Sequence, residues 1–453
     1  MPQRTATQAV QQIHATSLDV LERQINGGEV SDDLRALLGD TYAGELEAMV
    51  RRGRPALLSA AERPVVIVLP GITGSLLSSV SGETGLIWLN PLALVLGKLA
   101  LLMLDRRGSR DAIPGVRVVA SGLLPTHYLL LQFHLRMLGG CDVLGFPFDW
   151  RRTPDAAVDE LRRLVLNTFR EKKRKVHIVG HSMGGLVARN FCLRHPKDAE
   201  QAVAQVIQLG SPNYGSFESV RNLTVGGDTL NLVARVNPAN IPIAIMRTCP
   251  GLYNMLPVPA EHYPSAAPQP YPFSGSFEPY NADGYGTPDV VERHIAATRA
   301  SYAWLAGATG SLPVPTTIIA GYDVPTCTQV RVEGSSNEPQ FVFATTRQGD
   351  GTVPLGSVVA LPGARLLYRR GLEHGSMPLD GTVRDGVRAL IHQQQPVGFD
   401  SSPVTQALLS GTPPLLSGTP ATATLSAGEL DLISNHMRAD LVSAEELRLI
   451  AAL

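Results

Sequence analysis

One short stretch of this 453-residue chain, Val176 to His195, reads VHIVGHSMGGLVARNFCLRH and places a serine where it could act as a nucleophile. The apolar run before the serine has strand character. The run after it puts Leu186, Val187 and Phe191 on one side of a helix, and between the two lies Gly180-His181-Ser182-Met183-Gly184. Glycines on both sides of a serine let a strand turn abruptly into a helix, which exposes the hydroxyl above the sheet edge. Gly185 adds another point of unobstructed close packing. The rival reading is a glycine-rich turn with an incidental serine, and the strand before and helix after favour chemistry.

A serine hydroxyl is a poor nucleophile near neutral pH. It needs a base to take its proton and an acid to hold that base in the right tautomer. Where this motif is used on a sheet, acid and then histidine follow the serine along the chain. FATTRQGDGTVPLGS supplies Asp350, and RLLYRRGLEHGSMPLD supplies His374, each after a candidate strand. Asp323, after the strand TTIIAG, is the rival acid, and Asp380 a more distant one. The His181 ring is expected to point away along the turn, and His127, His134, His195 and His294 fall in helical or cap segments. His262, in the cap, is a minor candidate for touching substrate. An oxyanion also needs preorganised donors. Met183 N–H, directly after the nucleophile, is one candidate. Ile72 N–H, in VVIVLPGITGSLL, is the other, since no lysine follows there in the phosphate-loop pattern.

These residues need a scaffold. Short apolar runs recur from Pro64 onward: Val65 to Pro70, Cys141 to Phe148, Val176 to Gly180, Ala202 to Gly210, Thr316 to Gly321 and Arg365 to Arg370. They alternate with helical patterns, which points to an α/β fold with a doubly wound, mostly parallel sheet. The expected core spans residues 61–395, with a lid at 76–125 and a cap at 212–314. Residues 1–60 read as a helical extension, from Val10, Ile13, Val20 and Leu21 before Gly27 and Gly28 and from Leu34, Leu37, Leu38, Leu46, Met49 and Val50 after them. Residues 396–453 read as a linker rich in Pro, Ser and Thr followed by short helices, whose capping boxes are Ser426 with Glu429 and Ser443 with Glu446.

Composition narrows the setting. With 39 Lys and Arg against 40 Asp and Glu, the net charge of −1 draws the chain neither to nucleic acid nor to anionic lipid. Four scattered cysteines, without CxxC spacing, argue against a zinc site or a dense disulfide framework. The N-terminus lacks an apolar leader pattern, so a cytoplasmic location is the expectation. Asn90, Pro91, Gly97 and Lys98 interrupt the apolar segment from Leu86 to Leu104, so it is not expected to span a bilayer.

In this order, the stretches LPGITGSLL, IWLNPLAL, GFPFDWRRTP, VGHSMGGLVAR, LGSPNYGS, CPGLYNMLP, GDGTVPLGS and EHGSMP resemble the lecithin:cholesterol acyltransferase family of α/β-hydrolases, which has bacterial and lysosomal members. The resemblance implies an α/β-hydrolase fold and a triad of Ser182, Asp350 and His374, with Ile72 and Met183 as oxyanion donors. It also implies Trp88 in a lid near the entrance, with Phe146 and Trp150 close to the acyl pocket. The implied substrate is an acyl ester, often a lipid, processed through an acyl-enzyme that passes its acyl group to water or an alcohol, with no metal or organic cofactor. The lid is expected to touch lipid surfaces transiently, and the terminal helices to dock a protein partner or a second subunit. No cysteine lies between Ser75 and Pro125, where secreted relatives close a lid loop with a disulfide. The competing class is a catalytically idle hydrolase scaffold used as a binding module.

Overall fold

The computed structural model describes residues 18–25, 30–52, 62–308, 311–335, 338–403, 416–417, 433 and 435. In chain order the strands are β1 (Val65–Leu69), β2 (Ser75–Ser81), β3 (Gly85–Trp88), β4 (Arg117–Leu123), β5 (Asp142–Gly145), β6 (Val176–His181) and β7 (Val203–Leu209). They continue with β8 (Ser274–Gly275), β9 (Thr316–Tyr322), β10 (Thr326–Ser335), β11 (Glu338–Thr346), β12 (Arg365–Arg370) and β13 (Leu416–Ser417).

The six apolar runs form one parallel sheet in the order β12-β9-β7-β6-β1-β5. All five residues of β1 and all seven of β9 are buried, as expected of strands covered on both faces. β5 is shorter than its apolar run because Pro147, without an N–H, cannot continue a ladder. Helices Val158–Lys172 and Met183–Arg194 are the crossovers on either side of β6. This is the α/β-hydrolase architecture, and it gathers the loops after β1, β6, β7, β9 and β12 at one edge, where strand C-termini form a crevice.

The hairpin β10–β11 sits between β9 and β12 in sequence but pairs in a separate sheet, ordered β13-β11-β10-β8. It returns the chain to the end of β9, where Asp323 N donates to Arg347 O and Val324 N to Gly349 O. Asp350 therefore arrives at the crevice from outside the main sheet.

The lid region holds a small antiparallel sheet, β3-β2-β4, that the apolar pattern did not announce. Between β3 and β4 the chain makes only a short helix, Pro91–Val95, and a tighter turn, Lys98–Leu102. Among the described residues no helix is long and apolar enough to cross a membrane. The cap contains short helices, Phe217–Thr224, Asp228–Val236, Pro242–Arg247 and Pro250–Tyr253, then the longer Glu292–Gly307.

Helix Asp32–Arg52 packs against the helix Pro125–Phe133 and the turn after it, burying Leu34, Leu37, Leu38 and Leu46, and helix Leu18–Ile25 packs on Asp32–Arg52. Ion pairs fasten them, Arg136 with Asp19 and Glu22, and Arg384 with Glu45. At the other end of the chain, Tyr322 Oη donates to Asp400 Oδ2 at 2.7 Å. Val10, Ile13, Gly27, Gly28 and both expected C-terminal capping boxes lie outside the described residues.

One buried cation ties the lid segment to the core. Arg151, with a fully buried side chain, pairs with both oxygens of Asp149, with Asp111 Oδ1 at 2.8 Å and with the Leu102 carbonyl at 3.0 Å. Removing one partner from such a group leaves uncompensated buried charge, at a cost of about 3–5 kcal/mol. Arg151→Met is accordingly expected to lower unfolding free energy by about that amount in denaturant titration. A change under about 1 kcal/mol would show that the cluster does not hold the lid.

Candidate active site

Ser182 stands between β6 and the helix Met183–Arg194 with φ 50° and ψ −122°, a backbone region that non-glycine residues rarely occupy. The neighbouring glycines make the turn possible. A Cβ at Gly180 would fall 2.6 Å from Gly185 N, and one at Gly184 would fall 2.5 Å from Pro70 O and 2.6 Å from Leu69 O. The Ser182 N–H donates to Leu209 O at 2.9 Å, which anchors the turn on β7.

Asp350 and His374 meet behind this turn. Asp350 Oδ1 accepts from the N–H groups of Thr352 at 3.0 Å and Val353 at 2.7 Å, while Oδ2 lies 2.8 Å from His374 Nδ1. The His374 N–H also donates to Asp350 O at 2.8 Å. Asp350 is 1% exposed and His374 5%. A carboxylate only accepts, so the imidazole proton sits on Nδ1 and the Nε2 lone pair is free to act as a base. The rival carboxylates are engaged elsewhere. Asp323 forms ion pairs with Arg347 and Arg370 that hold its carboxyl below the usual range against the effect of burial. Asp380 caps the helix Gly381–Ile391 through Val383 N and pairs with Arg369.

The loop that follows β1 and carries Ile72 presses on the serine. A Cβ at Gly71 would lie 3.0 Å from Ser182 Cβ and 3.5 Å from Ser182 Oγ. Among the described residues the N–H groups of Ile72 and Met183 have no hydrogen-bond acceptor. Two unpaired backbone donors flanking a serine are the arrangement that a developing oxyanion requires. Ser182 Oγ likewise makes no hydrogen bond among the described residues, and such bonds tighten as substrate binds.

Ser182 and Ile72 line a cleft. Met246, Leu252, Met255 and Val353 form its apolar wall, and Ser216, Glu218, Ser219 and Asn222 its polar side. The three aromatic residues expected at the substrate are not part of this cleft. Trp88, Phe146 and Trp150 are 3%, 4% and 1% exposed and are not among the residues that line this cleft. Trp88 Nε1 donates to Thr73 O at 2.7 Å and Trp150 Nε1 to Ser75 O at 3.2 Å, so the two indoles brace the oxyanion loop from beneath. Of the cleft residues, Pro212, Ser216, Leu252, Met255, Thr352 and Val353 fall in the resembling stretches LGSPNYGS, CPGLYNMLP and GDGTVPLGS, which was the available signal for them, whereas Glu218, Ser219, Asn222 and Met246 fall in none.

The His181 ring differs from expectation too. It does not point away along the turn but is buried, with its centroid 5.1 Å from that of His374. Burial, reinforced by the nearby His374, holds its pKa well below 6.5. No group of three or more His, Cys, Asp or Glu side chains among the described residues could hold a metal ion.

Two measurements follow from this packing. Gly184→Ala sets a methyl against backbone carbonyls and is expected to cost about 1–3 kcal/mol in denaturant unfolding. Burial keeps His181 neutral, and it lowers the His177 pKa from 6.5 to about 4. The unfolded chain protonates these rings near pH 6.5 and so binds more protons below it. Stability should therefore fall as pH drops from 6.5 toward 4, by an amount reduced in His177→Gln.

Residues 139–265 match the family model described as lecithin:cholesterol acyltransferase. Mouse phosphatidylcholine-sterol acyltransferase is 33% identical over 84 residues, 18% of this chain and 19% of its own. Human lysosomal phospholipase A and acyltransferase is 29% identical over 106 residues, 22% and 25% of the two chains. The chain thus spans between a fifth and a quarter of the length of these curated relatives. A chain of the Tle4–Tli4 complex superposes with a TM-score of 0.51 at 16% identity, over 74% of this chain and 98% of its own. The six-stranded parallel sheet is that of an α/β-hydrolase, and the segment that is similar to the lecithin:cholesterol acyltransferase family lies across the turn at Ser182.

Proposed function

We propose that this protein is a serine-dependent ester hydrolase or acyltransferase acting on acyl esters, with lipid esters as the favoured substrates. The observation that carries the reading is the His374 imidazole held through Nδ1 by buried Asp350 beside a serine at φ 50°. In this mechanism His374 Nε2 takes the proton of Ser182 Oγ as that oxygen attacks the ester carbonyl. The resulting oxyanion is met by the N–H groups of Ile72 and Met183, each worth on the order of 3 kcal/mol in the transition state. Asp350 stabilises the imidazolium without taking its proton. The imidazolium then protonates the leaving alcohol, and Ser182 is left acylated. Water or a second alcohol, deprotonated by His374 Nε2, attacks the acyl-enzyme and releases acid or new ester.

The apolar wall of Met246, Leu252, Met255 and Val353 suits an acyl chain, and the polar side at Ser216 and Asn222 suits the remainder of an ester. Leu92 and Leu96 of the lid are 47% and 54% exposed, which supports transient contact of the lid with a lipid surface. The names of the relatives, an acyltransferase and a phospholipase, point to the same class.

The test is covalent and kinetic. A fluorophosphonate probe is expected to label Ser182, and Ser182→Ala to abolish both labelling and turnover of p-nitrophenyl esters. Asp350→Asn should retain the fold and lose about 10³- to 10⁴-fold in kcat. An unlabelled wild-type serine without ester turnover would instead indicate an idle scaffold. Product analysis with and without an added alcohol separates transfer from hydrolysis.

A further inference from the structure

We propose that Tyr128 and His181 are positioning residues for the reaction just described, and so this inference rests on that reading: they lock the oxyanion loop and the catalytic-histidine loop to each other across the back of the nucleophile turn.

Three hydrogen bonds carry the argument. The Gly71 N–H donates to Tyr128 Oη at 2.8 Å. Tyr128 Oη lies 2.8 Å from His181 Nδ1, and His181 Nε2 lies 3.0 Å from the His374 carbonyl oxygen. The directions follow from chemistry. A carbonyl only accepts, so His181 Nε2 carries the proton and donates it. In the neutral ring Nδ1 is then an acceptor, and the Tyr128 hydroxyl, already accepting from Gly71, gives its proton there. Every donor and acceptor in the run from Gly71 to His374 is used once. The opposite tautomer would set the Nε2 lone pair against the His374 carbonyl oxygen and break that bond.

The neutral ring is enforced by its surroundings. Tyr128 and His127 come from the helix Pro125–Phe133, and His374 from the loop after β12; Asp350 is spent on the far side of His374. No carboxylate touches the His181 ring among the described residues, and burial opposes protonation of His181 and ionisation of Tyr128 alike.

The consequences fall on both loops. Gly71 precedes Ile72, so a bond to Gly71 N sets the direction of the adjacent donor. With its carbonyl held by His181, and its N–H and Nδ1 held by Asp350, His374 has only Nε2 left for chemistry. Shifting either loop misplaces reacting atoms that the elbow itself leaves in register, and displacements of about 1 Å cost up to about 10²-fold in rate.

The experiment compares wild-type, Tyr128→Phe and His181→Gln full-length proteins on a p-nitrophenyl ester and with a trifluoromethyl ketone transition-state analogue. Tyr128→Phe strips the partner from Gly71 N and His181 Nδ1. It is expected to lower kcat about 10- to 100-fold with KM within about twofold, and to weaken analogue binding by the same factor. His181→Gln, which can still donate to the His374 carbonyl, should lose less than His181→Ala. Nitrogen-15 histidine NMR of the wild type should show a neutral Nε2–H ring, assigned by its disappearance in His181→Gln. Wild-type-like kcat and analogue affinity in folded Tyr128→Phe, or an Nδ1–H or doubly protonated His181, would overturn the inference while leaving the serine mechanism standing. A wild-type protein without ester turnover or Ser182 labelling would sink both.

Discussion

The structure turns on the sharp backbone reversal at Ser182. A non-glycine residue at φ 50° persists only where its surroundings over-determine it, and here they do. The Ser182 N–H is spent on Leu209 O, Gly180 touches Gly185, and Gly184 lies against the carbonyls of Leu69 and Pro70. The same contacts that force the turn also fix the distance between the ends of β1, β6 and β7. The loop that carries Ile72 leaves β1 at that point, so its separation from the Ser182 hydroxyl is a packing dimension rather than a loop preference.

Around that reversal the polar groups are distributed so that few remain open. Asp350 spends Oδ1 on two backbone donors and Oδ2 on His374, and His374 in turn keeps only Nε2 uncommitted. The donors of Ile72 and Met183 are unpaired among the described residues. Buried polar groups are normally paired, so unpaired ones beside a strained serine mark where another molecule's atoms belong.

Much of this was legible in the sequence. The six strands of the parallel sheet could be read because strands buried on both faces are continuous apolar runs, and VVIVL and TTIIAGY are such runs. The β2-β3-β4 sheet was not legible, because SLLSSVS mixes serine into a half-exposed strand and its register shifts at irregular points. Asp323 and Asp350 could not be separated by position alone, since the β10–β11 hairpin brings both to the end of β9. What separates them is Arg347 and Arg370, which occupy Asp323 from the solvent side, a tertiary fact with no local signature. That Trp88, Phe146 and Trp150 do not line the cleft at Ser182 was hidden for a similar reason. An indole N–H reaching a backbone carbonyl is as satisfied beneath a loop as at a pocket wall, and residue type does not tell the two apart.

The lid and the site are joined through that same region. Trp88 leaves the lid sheet to hold Thr73 O, and Trp150 holds Ser75 O from the core side, so both indoles fix the loop that carries Ile72. Arg151, next to Trp150, reaches the lid at Leu102 and Asp111. Lifting the whole segment would strand its guanidinium, at several kcal/mol, and would pull on the oxyanion loop as well. The helix Pro91–Val95 stands outside this clamp and carries the exposed Leu92, with Leu96 just beyond its end. The segment is therefore anchored where it braces the loop after β1 and apolar where it meets solvent.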